Sequence, residues 1–276
     1  MKFEVSQIKP RIGARIDTDT ETLLSGEKAA AIRQTLEQRG VIVFPDVYVD
    51  DEQQVQFAAT LGTVRKEGKD GIFKITLDTA QNVKANYLKG AFFWHIDGTH
   101  DEFPPLASLL SARQIPETGG ETEFCNTYAA YENLPEDEKE YLQTLRVVHS
   151  NQNAQLYYEP EPSYEDFKHW RTYEEKSHPL VWRHQSGRCS LVIGATATYV
   201  EGMNYLESRD LLVRLRAWAT QAEYVYRHVW SPGDLLMWDN CGVMHRAVPY
   251  AADSGRLMHR TVLRGIETIN GVERTI

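Results

Sequence analysis

The spacing of apolar positions changes character near residue 71. Ahead of it, Gly26 to Arg39 carries Ala30, Ile32 and Leu36 at helical spacing and ends at Gly40, a residue suited to closing a helix. Val41-Ile42-Val43-Phe44 is an unbroken apolar run stopped by Pro45, the pattern of a buried strand. Asp50 or Asp51 can cap a second helix that continues to Leu61 and stops at Gly62. Phe3 to Ile8 and Gly13 to Ile16 are short strands about a turn at Pro10. Beyond residue 71 the chain is short strands separated by turn residues: 71–77, 92–97, 107–112, 181–184, 189–193, 224–230, 234–238, 242–248 and 257–264. Gln185-Ser186-Gly187-Arg188 and Ser231-Pro232-Gly233 are the tightest turns. A helical stretch over 127–145, capped near Asn126, and another over 208–220 interrupt the strands. A mostly β chain with flanking helices predicts a jelly-roll, cupin-like barrel. A doubly wound sheet is disfavoured, because strands and helices do not alternate regularly and no Gly-rich phosphate loop follows a strand.

Residues 150–180 break the pattern. Tyr157, Tyr158, Tyr164, Phe167, Trp170 and Tyr173 stand there among many charges, with Pro160 and Pro162. A long polar connection rich in aromatics suits a lid or binding loop, and equally a surface elaboration or a subunit contact. No repeat, low-complexity stretch or linker divides the chain, so residues 1–276 are expected to form a single domain with this lid-like insertion.

Composition narrows the function classes. With 276 residues, 42% apolar and 25% charged, the chain is an ordinary globular protein. Its net charge of −9, with no cluster of Lys and Arg, disfavours a nucleic-acid partner. An anionic substrate would need a local Arg. Cys125, Cys189 and Cys241 are odd in number and widely spaced, as free thiols of a reducing compartment are. No apolar run approaches the ~18 residues of a membrane span, and the first residues lack the apolar core of a signal peptide. A cytoplasmic protein with no membrane partner is expected.

The chemistry centres on Trp94-His95-Ile96-Asp97. On a strand, His95 and Asp97 point to one face and offer a divalent metal an imidazole nitrogen and a carboxylate oxygen. Alone, His-x-Asp is a common coincidence. His245 lies in a late strand just past the turn Trp238-Asp239-Asn240, and in a jelly roll it can meet the earlier pair across the barrel. Two His and one carboxylate on one face leave three coordination positions open, the geometry of non-haem Fe(II) oxygenases. A strand His is otherwise a satisfied core residue. Eleven residues beyond His245 comes Arg256, then Arg260, and on a strand both share a face with Met258. Guanidiniums facing a barrel interior need anions, and they grip carboxylates bidentately. Facing solvent, they would need none. Gly119-Gly120-Glu121-Thr122 allows close backbone approach and places a hydroxyl at a strand start.

Taken together, from about Val41 to Gly265, these elements resemble the Fe(II)/2-oxoglutarate dioxygenases of the taurine and phenoxyacetate dioxygenase family. The likeness rests on Trp94-His95-x-Asp97, Gly119-Gly120-x-Thr122, Gly233-Asp234-Leu235-x-Met237-Trp238-Asp239-Asn240, His245, Arg256 and Arg260, in the family's order. Thr122-Glu123-Phe124-Cys125, Ala129-Ala130-Tyr131, Val200-Glu201-Gly202 and Val225-Tyr226-Arg227-His228 are closer to the phenoxyacetate branch. The resemblance implies a double-stranded β-helix in which His95, Asp97 and His245 bind Fe(II). It implies that Arg256 and Thr122 hold the distal carboxylate of 2-oxoglutarate, and that Arg260 meets the substrate's acid or shares in holding 2-oxoglutarate. O2 is the oxidant, and succinate and CO2 accompany hydroxylation of a C–H bond, which cleaves the product where the carbon bears a heteroatom. The retained Asp97 favours hydroxylation over halogenation. One position departs from the family: where an Asn that helps place substrate often stands, four residues before the metal His, this chain has Ala91, followed by Phe92 and Phe93. The pocket is therefore expected to take a small aromatic or hydrophobic carboxylate, with Arg260 on its acid and Phe92, Tyr157, Tyr158 and Phe167 around its body. Relatives form dimers and tetramers, so a homo-oligomer is expected by analogy. A metal-dependent hydrolase or lyase on the same barrel is the alternative, and it leaves Arg256 and Thr122 unexplained. A non-catalytic 2-oxoglutarate-binding protein is another, and would not need the complete His95, Asp97 and His245 set.

Overall fold

Strands buried on both faces read as continuous apolar runs, and two central strands of the principal sheet, Val41–Phe44 and Leu235–Asp239, are buried throughout. The computed structural model describes residues 2–82, 85 and 87–271. The first part of the chain forms β1 (Phe3–Gln7), β2 (Ala14–Thr18), α1 (Thr20–Ser25), α2 (Ala29–Arg39), β3 (Val41–Phe44), α3 (Asp51–Leu61) and β4 (Phe73–Ile75). A 3-10 turn, Tyr87–Phe92, leads to β5 (Ala107–Gln114), β6 (Thr122–Asn126), α4 (Thr127–Glu132), α5 (Glu136–Leu142) and β7 (Arg146–His149). Then follow α6 (Asn151–Tyr158), α7 (Tyr164–Trp170), β8 (Lys176–Pro179), β9 (Val181–Arg183), β10 (Cys189–Leu191), β11 (Ala197–Val200) and α8 (Tyr205–Ala219). The chain closes with β12 (Val225–His228), β13 (Leu235–Asp239), β14 (Val243–Ala247) and β15 (Leu257–Leu263).

Seven strands form the large sheet in the order β1-β2-β3-β13-β5-β15-β4. Along β13 the side chains alternate between two cores. Leu235 and Met237 pack with Phe44, Leu109 and Leu263 against Ile32 and Leu36 of α2 and Phe57 and Leu61 of α3. Leu236 and Trp238 face the other way, with Val43, Leu110 and Met258, onto Phe124 of β6 and Val243 of β14. The second face thus meets the three-stranded sheet β12-β6-β14 in a jelly-roll arrangement, and the functional side chains lie between the two layers. Each large side chain so buried contributes roughly 1.5–3 kcal/mol. Asp50 is the residue that caps α3: its carboxylate accepts from Gln53 N at 2.8 Å and Gln53 Oε1 accepts from Asp50 N at 3.0 Å.

Several elements differ from the sequence pattern. Phe92–Asp97 is not a strand: it leaves the 3-10 turn and makes one isolated bridge, His95 to His245. The helical stretch over 127–145 is two helices, because Pro135 stands at the N-cap of α5 and cannot continue α4. Residues 150–180 hold α6, α7 and β8 rather than an irregular loop, with Ser150 and Ser163 capping the helices. Strands β7, β8 and β11 were not expected, and they pair only with one another.

A buried acid closes β13. Tyr128 Oη donates to Asp239 Oδ2 at 3.2 Å and Cys241 N donates to Oδ1 at 2.9 Å. Burial, only partly opposed by the Cys241 amide, pushes the Asp239 pKa up to about 6. The folded protein therefore holds this proton more tightly than the unfolded chain, so the associated stability is fully present below pH 3.8 and is lost as pH rises through 6, by about 3 kcal/mol. Asn is isosteric with the protonated acid and can serve both partners. Chemical denaturation of Asp239→Asn beside the wild type from pH 4 to 8 should show the variant gaining relative stability across that interval. A constant difference between the two would disprove the assignment.

Candidate metal and co-substrate site

His95 and His245 exchange backbone hydrogen bonds, His95 N to His245 O at 3.1 Å and His245 N to His95 O at 2.9 Å. This single antiparallel bridge brings their rings to 4.2 Å between centroids. The carbonyl of Phe93, which can only accept, lies 2.8 Å from His95 Nδ1, so the proton sits on Nδ1 and the Nε2 lone pair is free. His95 Nε2 is 3.7 Å from Asp97 Oδ1, and His245 Nε2 is 3.8 Å from Asp97 Oδ2. One ligand atom from each residue lies within 4.8 Å of the others. Trp238, at 4.8 Å between rings, and Phe124, stacked at 6.5 Å, fix the His245 imidazole.

The backbone of Asp97 has no ladder to hold it, and a side chain does the work. Asn240 accepts from Asp97 N at 3.0 Å and donates to Asp97 O at 2.8 Å, with a further bond to Pro105 O at 3.2 Å. Gly194 lets the segment lie close, since a Cβ there would stand 2.9 Å from the Trp94 carbonyl oxygen. Burial alone would raise the Asp97 pKa, but Arg260, then His245 and His95, hold it at about 2. Burial, reinforced by His95, pushes His245 down to about 3. An ionised carboxylate, the free Nε2 lone pair of His95 and the Nε2 of His245 facing the same carboxylate are a donor set for a divalent cation.

The second half of the site is a buried arginine. The Gly120 carbonyl accepts from Arg256 Nε at 3.1 Å, and the guanidinium lies 4.7 Å over the Tyr250 ring. Among the described residues no carboxylate pairs with it, and burial depresses its pKa. A buried cation without an anion is costly, so this position fits a ligand acid. Gly120 must be glycine: its φ is +76° and a Cβ would stand 2.9 Å from Arg256 Cδ. Two residues on, Thr122 Oγ1 accepts from Trp230 Nε1 at 3.1 Å, which leaves its own proton to donate. Phe92 packs edge-on at 5.5 Å against Tyr250, the ring that the Arg256 guanidinium overlies.

The other candidates are distributed differently. Arg260 is already engaged, with Nη1 donating to Asp97 Oδ2 at 3.0 Å and Nη2 to Glu67 Oε2 at 3.2 Å. Arg256, Met258 and Arg260 all turn to the inner side, toward Gly120, Phe124 with Val243, and Asp97 respectively; the register shift between Leu257 and Met258 places its extra residue on β5. Tyr157 packs on Phe93 at 5.4 Å, and its hydroxyl accepts from Arg216 Nη1 at 2.8 Å. Tyr157 thus reaches the metal ligands only through the residue whose carbonyl orients His95. Tyr158 lies under Lys89 at 5.5 Å, and Phe167 lines a separate hollow of about 520 Å³ with Trp170 and Tyr173. Asn240, Trp230, Tyr250 and Glu67 take part without having been singled out by sequence. Asn240 stands inside a quoted motif and could have been found; nothing local marks Glu67 or Tyr250.

The chain matches the family described as taurine catabolism dioxygenase TauD, TfdA family over residues 4–262. It is 33% identical over 265 residues to an alpha-ketoglutarate-dependent 2,4-dichlorophenoxyacetate dioxygenase of Burkholderia sp. (strain RASC), covering 88% of this chain and 87% of that one. It is 31% identical over 278 residues to an alpha-ketoglutarate-dependent sulfate ester dioxygenase of Pseudomonas putida, covering 96% and 90%. The crystal structure of AAD-2 in complex with Mn(II) and N-oxalylglycine superposes with a TM-score of 0.84 at 30% identity, over 98% of this chain and all of the other. These likenesses run through every element that carries the site. The chain belongs to the TauD/TfdA family, as a dioxygenase that uses Fe(II), 2-oxoglutarate and O2.

Proposed function

We propose that the protein hydroxylates a small aromatic or hydrophobic organic acid, with His95, Asp97 and His245 as the iron ligands and Arg256 and Thr122 on the distal carboxylate of 2-oxoglutarate. The observation that carries this reading is Arg256, a buried cation that has no acidic partner among the described residues and is bonded to Gly120, two residues before Thr122, a hydroxyl whose proton is free. Once bound, iron, 2-oxoglutarate and O2 supply the oxidant for a C–H bond, with succinate and CO2 released. The protein's part is to hold and to exclude. Phe93 O keeps His95 Nε2 turned inward, Asn240 holds Asp97, and Phe92 and Tyr250 wall the co-substrate from water.

The acid class follows from what the relatives act on, a phenoxyacetate and sulfate esters, each an anion on an apolar body. Arg260 is the candidate anchor for that anion, and Phe92, Tyr157, Tyr158 and Phe167 the candidates for its body. Residues 1–276 are read as one domain whose 150–180 segment is the lid, and the protein as a cytoplasmic homo-oligomer, dimer or tetramer. No helix among the described residues is long and apolar enough to cross a membrane.

The test is an anaerobic visible-absorption titration of metal-free protein with Fe(II) and 2-oxoglutarate, then with phenoxyacetate or a medium-chain alkyl sulfate. A weak iron-to-keto-acid band that shifts with one of these acids is expected. A band that no organic acid shifts would remove the substrate class, and no band in folded protein would remove the site assignment.

A further inference from the structure

Arg260 is not an empty receptor. Its guanidinium heads a chain of alternating charges in which Nη1 meets Asp97 and Nη2 meets Glu67. The second oxygen of Glu67 lies 3.1 Å from Arg65 Nε, and Arg65 Nη1 donates to Asp101 Oδ2 at 2.6 Å. The backbone sets this arrangement. Val64 bridges Leu263 and Arg65 N donates to Val262 O at 2.8 Å, so the segment runs antiparallel beside β15 and lays Glu67 against Arg260.

We propose that Glu67 is a specificity-determining residue: an internal acid that occupies Arg260 until a substrate acid replaces it, and that then rests on Arg65. The inference depends on the reading of Arg260 as the substrate anchor. The two arginines of the site differ in this respect. Arg256 is buried with no acid beside it among the described residues, so 2-oxoglutarate enters without a competitor. Arg260, Glu67 and Arg65 keep side-chain exposures of 20%, 26% and 36%, where ion pairs are weak enough to exchange. Because Glu67 already has Arg65 at hand, leaving Arg260 does not strand a carboxylate. The consequence is a filter. A bare small anion gains little by trading places with Glu67, so an acid is accepted only when its apolar body also contributes. A neutral analogue gains nothing from Arg260 at all.

Two substitutions should act in opposite directions. Glu67→Gln removes the competing charge and should tighten phenoxyacetate about threefold to fivefold. Arg65→Ala removes the resting place, leaves Glu67 on Arg260 alone, and should weaken phenoxyacetate by a similar factor of about three to five. Neither should move phenoxyacetamide, the uncharged analogue. The readout is isothermal calorimetry on protein carrying Mn(II) and N-oxalylglycine, a redox-silent pair, so that turnover plays no part. Opposite shifts for the acid with flat values for the amide are the expected result. Wild-type binding of phenoxyacetate with no change in either variant, or equal changes for acid and amide, would overturn the role of Glu67 alone. No binding of phenoxyacetate to the wild type or to Glu67→Gln would overturn it together with the substrate class.

Discussion

Arg256→Ala lowers the affinity for 2-oxoglutarate by about two to three orders of magnitude and leaves the fold no less stable. Both halves of that expectation come from the same environment. Truncating one partner of a buried, hydrogen-bonded charge pair costs roughly 2–5 kcal/mol, which is the loss expected in the ligand complex. In the free protein the sign is different. The guanidinium is buried with a backbone carbonyl and the Tyr250 ring for company and no carboxylate among the described residues, so removing it relieves a desolvated charge. Calorimetric titration with 2-oxoglutarate in the presence of Mn(II), alongside thermal unfolding of the free protein, separates the two. A variant that binds 2-oxoglutarate as well as the wild type would sink the assignment. One that merely unfolds would show that Arg256 is a structural cation.

His245→Ala should abolish useful metal binding, raising the dissociation constant for Fe(II) or Mn(II) by about two to three orders of magnitude, the share of one ligand among three. Asn240→Ala, which touches no metal, should raise it by about 10–100-fold, because it releases the backbone that aims Asp97. Equilibrium competition with a chelating dye measures both. The ordering is the informative part. If Asn240→Ala matched His245→Ala, the carboxylate would depend wholly on its clamp; if it had no effect, the single bridge at His95 would suffice to hold the segment.

How much was legible in the sequence depended on where each residue's partners lie. Val41–Phe44 and Leu235–Trp238 were readable because strands covered on both faces need unbroken apolar runs, and α2 and α3 cover the outer face. Asp97 and His95 were readable as a pair because two residues of separation suffices for convergence, although the segment proved to be a bridge and not a strand. Strands β7, β8 and β11 were missed because Lys176-Ser177-His178-Pro179 carries no apolar alternation and its pairing is supplied by Arg146–His149. The same reason hid the state of Arg260. Its partner Glu67 is 193 residues away, and no local pattern announces that a cation has already been claimed. The aromatics of residues 150–180 suggested one shared pocket wall; Tyr157 packs on Phe93, Tyr158 lies under Lys89, and Phe167 lines a hollow with Trp170 and Tyr173.

The bridge between His95 and His245 also has a consequence for biosynthesis. The first two candidate ligands leave the ribosome about 150 residues before the third. No nascent chain that lacks β14 can assemble the three-residue cluster, because β14 must first be laid beside β6. Completion of this centre thus waits on β14, and tight metal binding would report that segments about 150 residues apart have found each other.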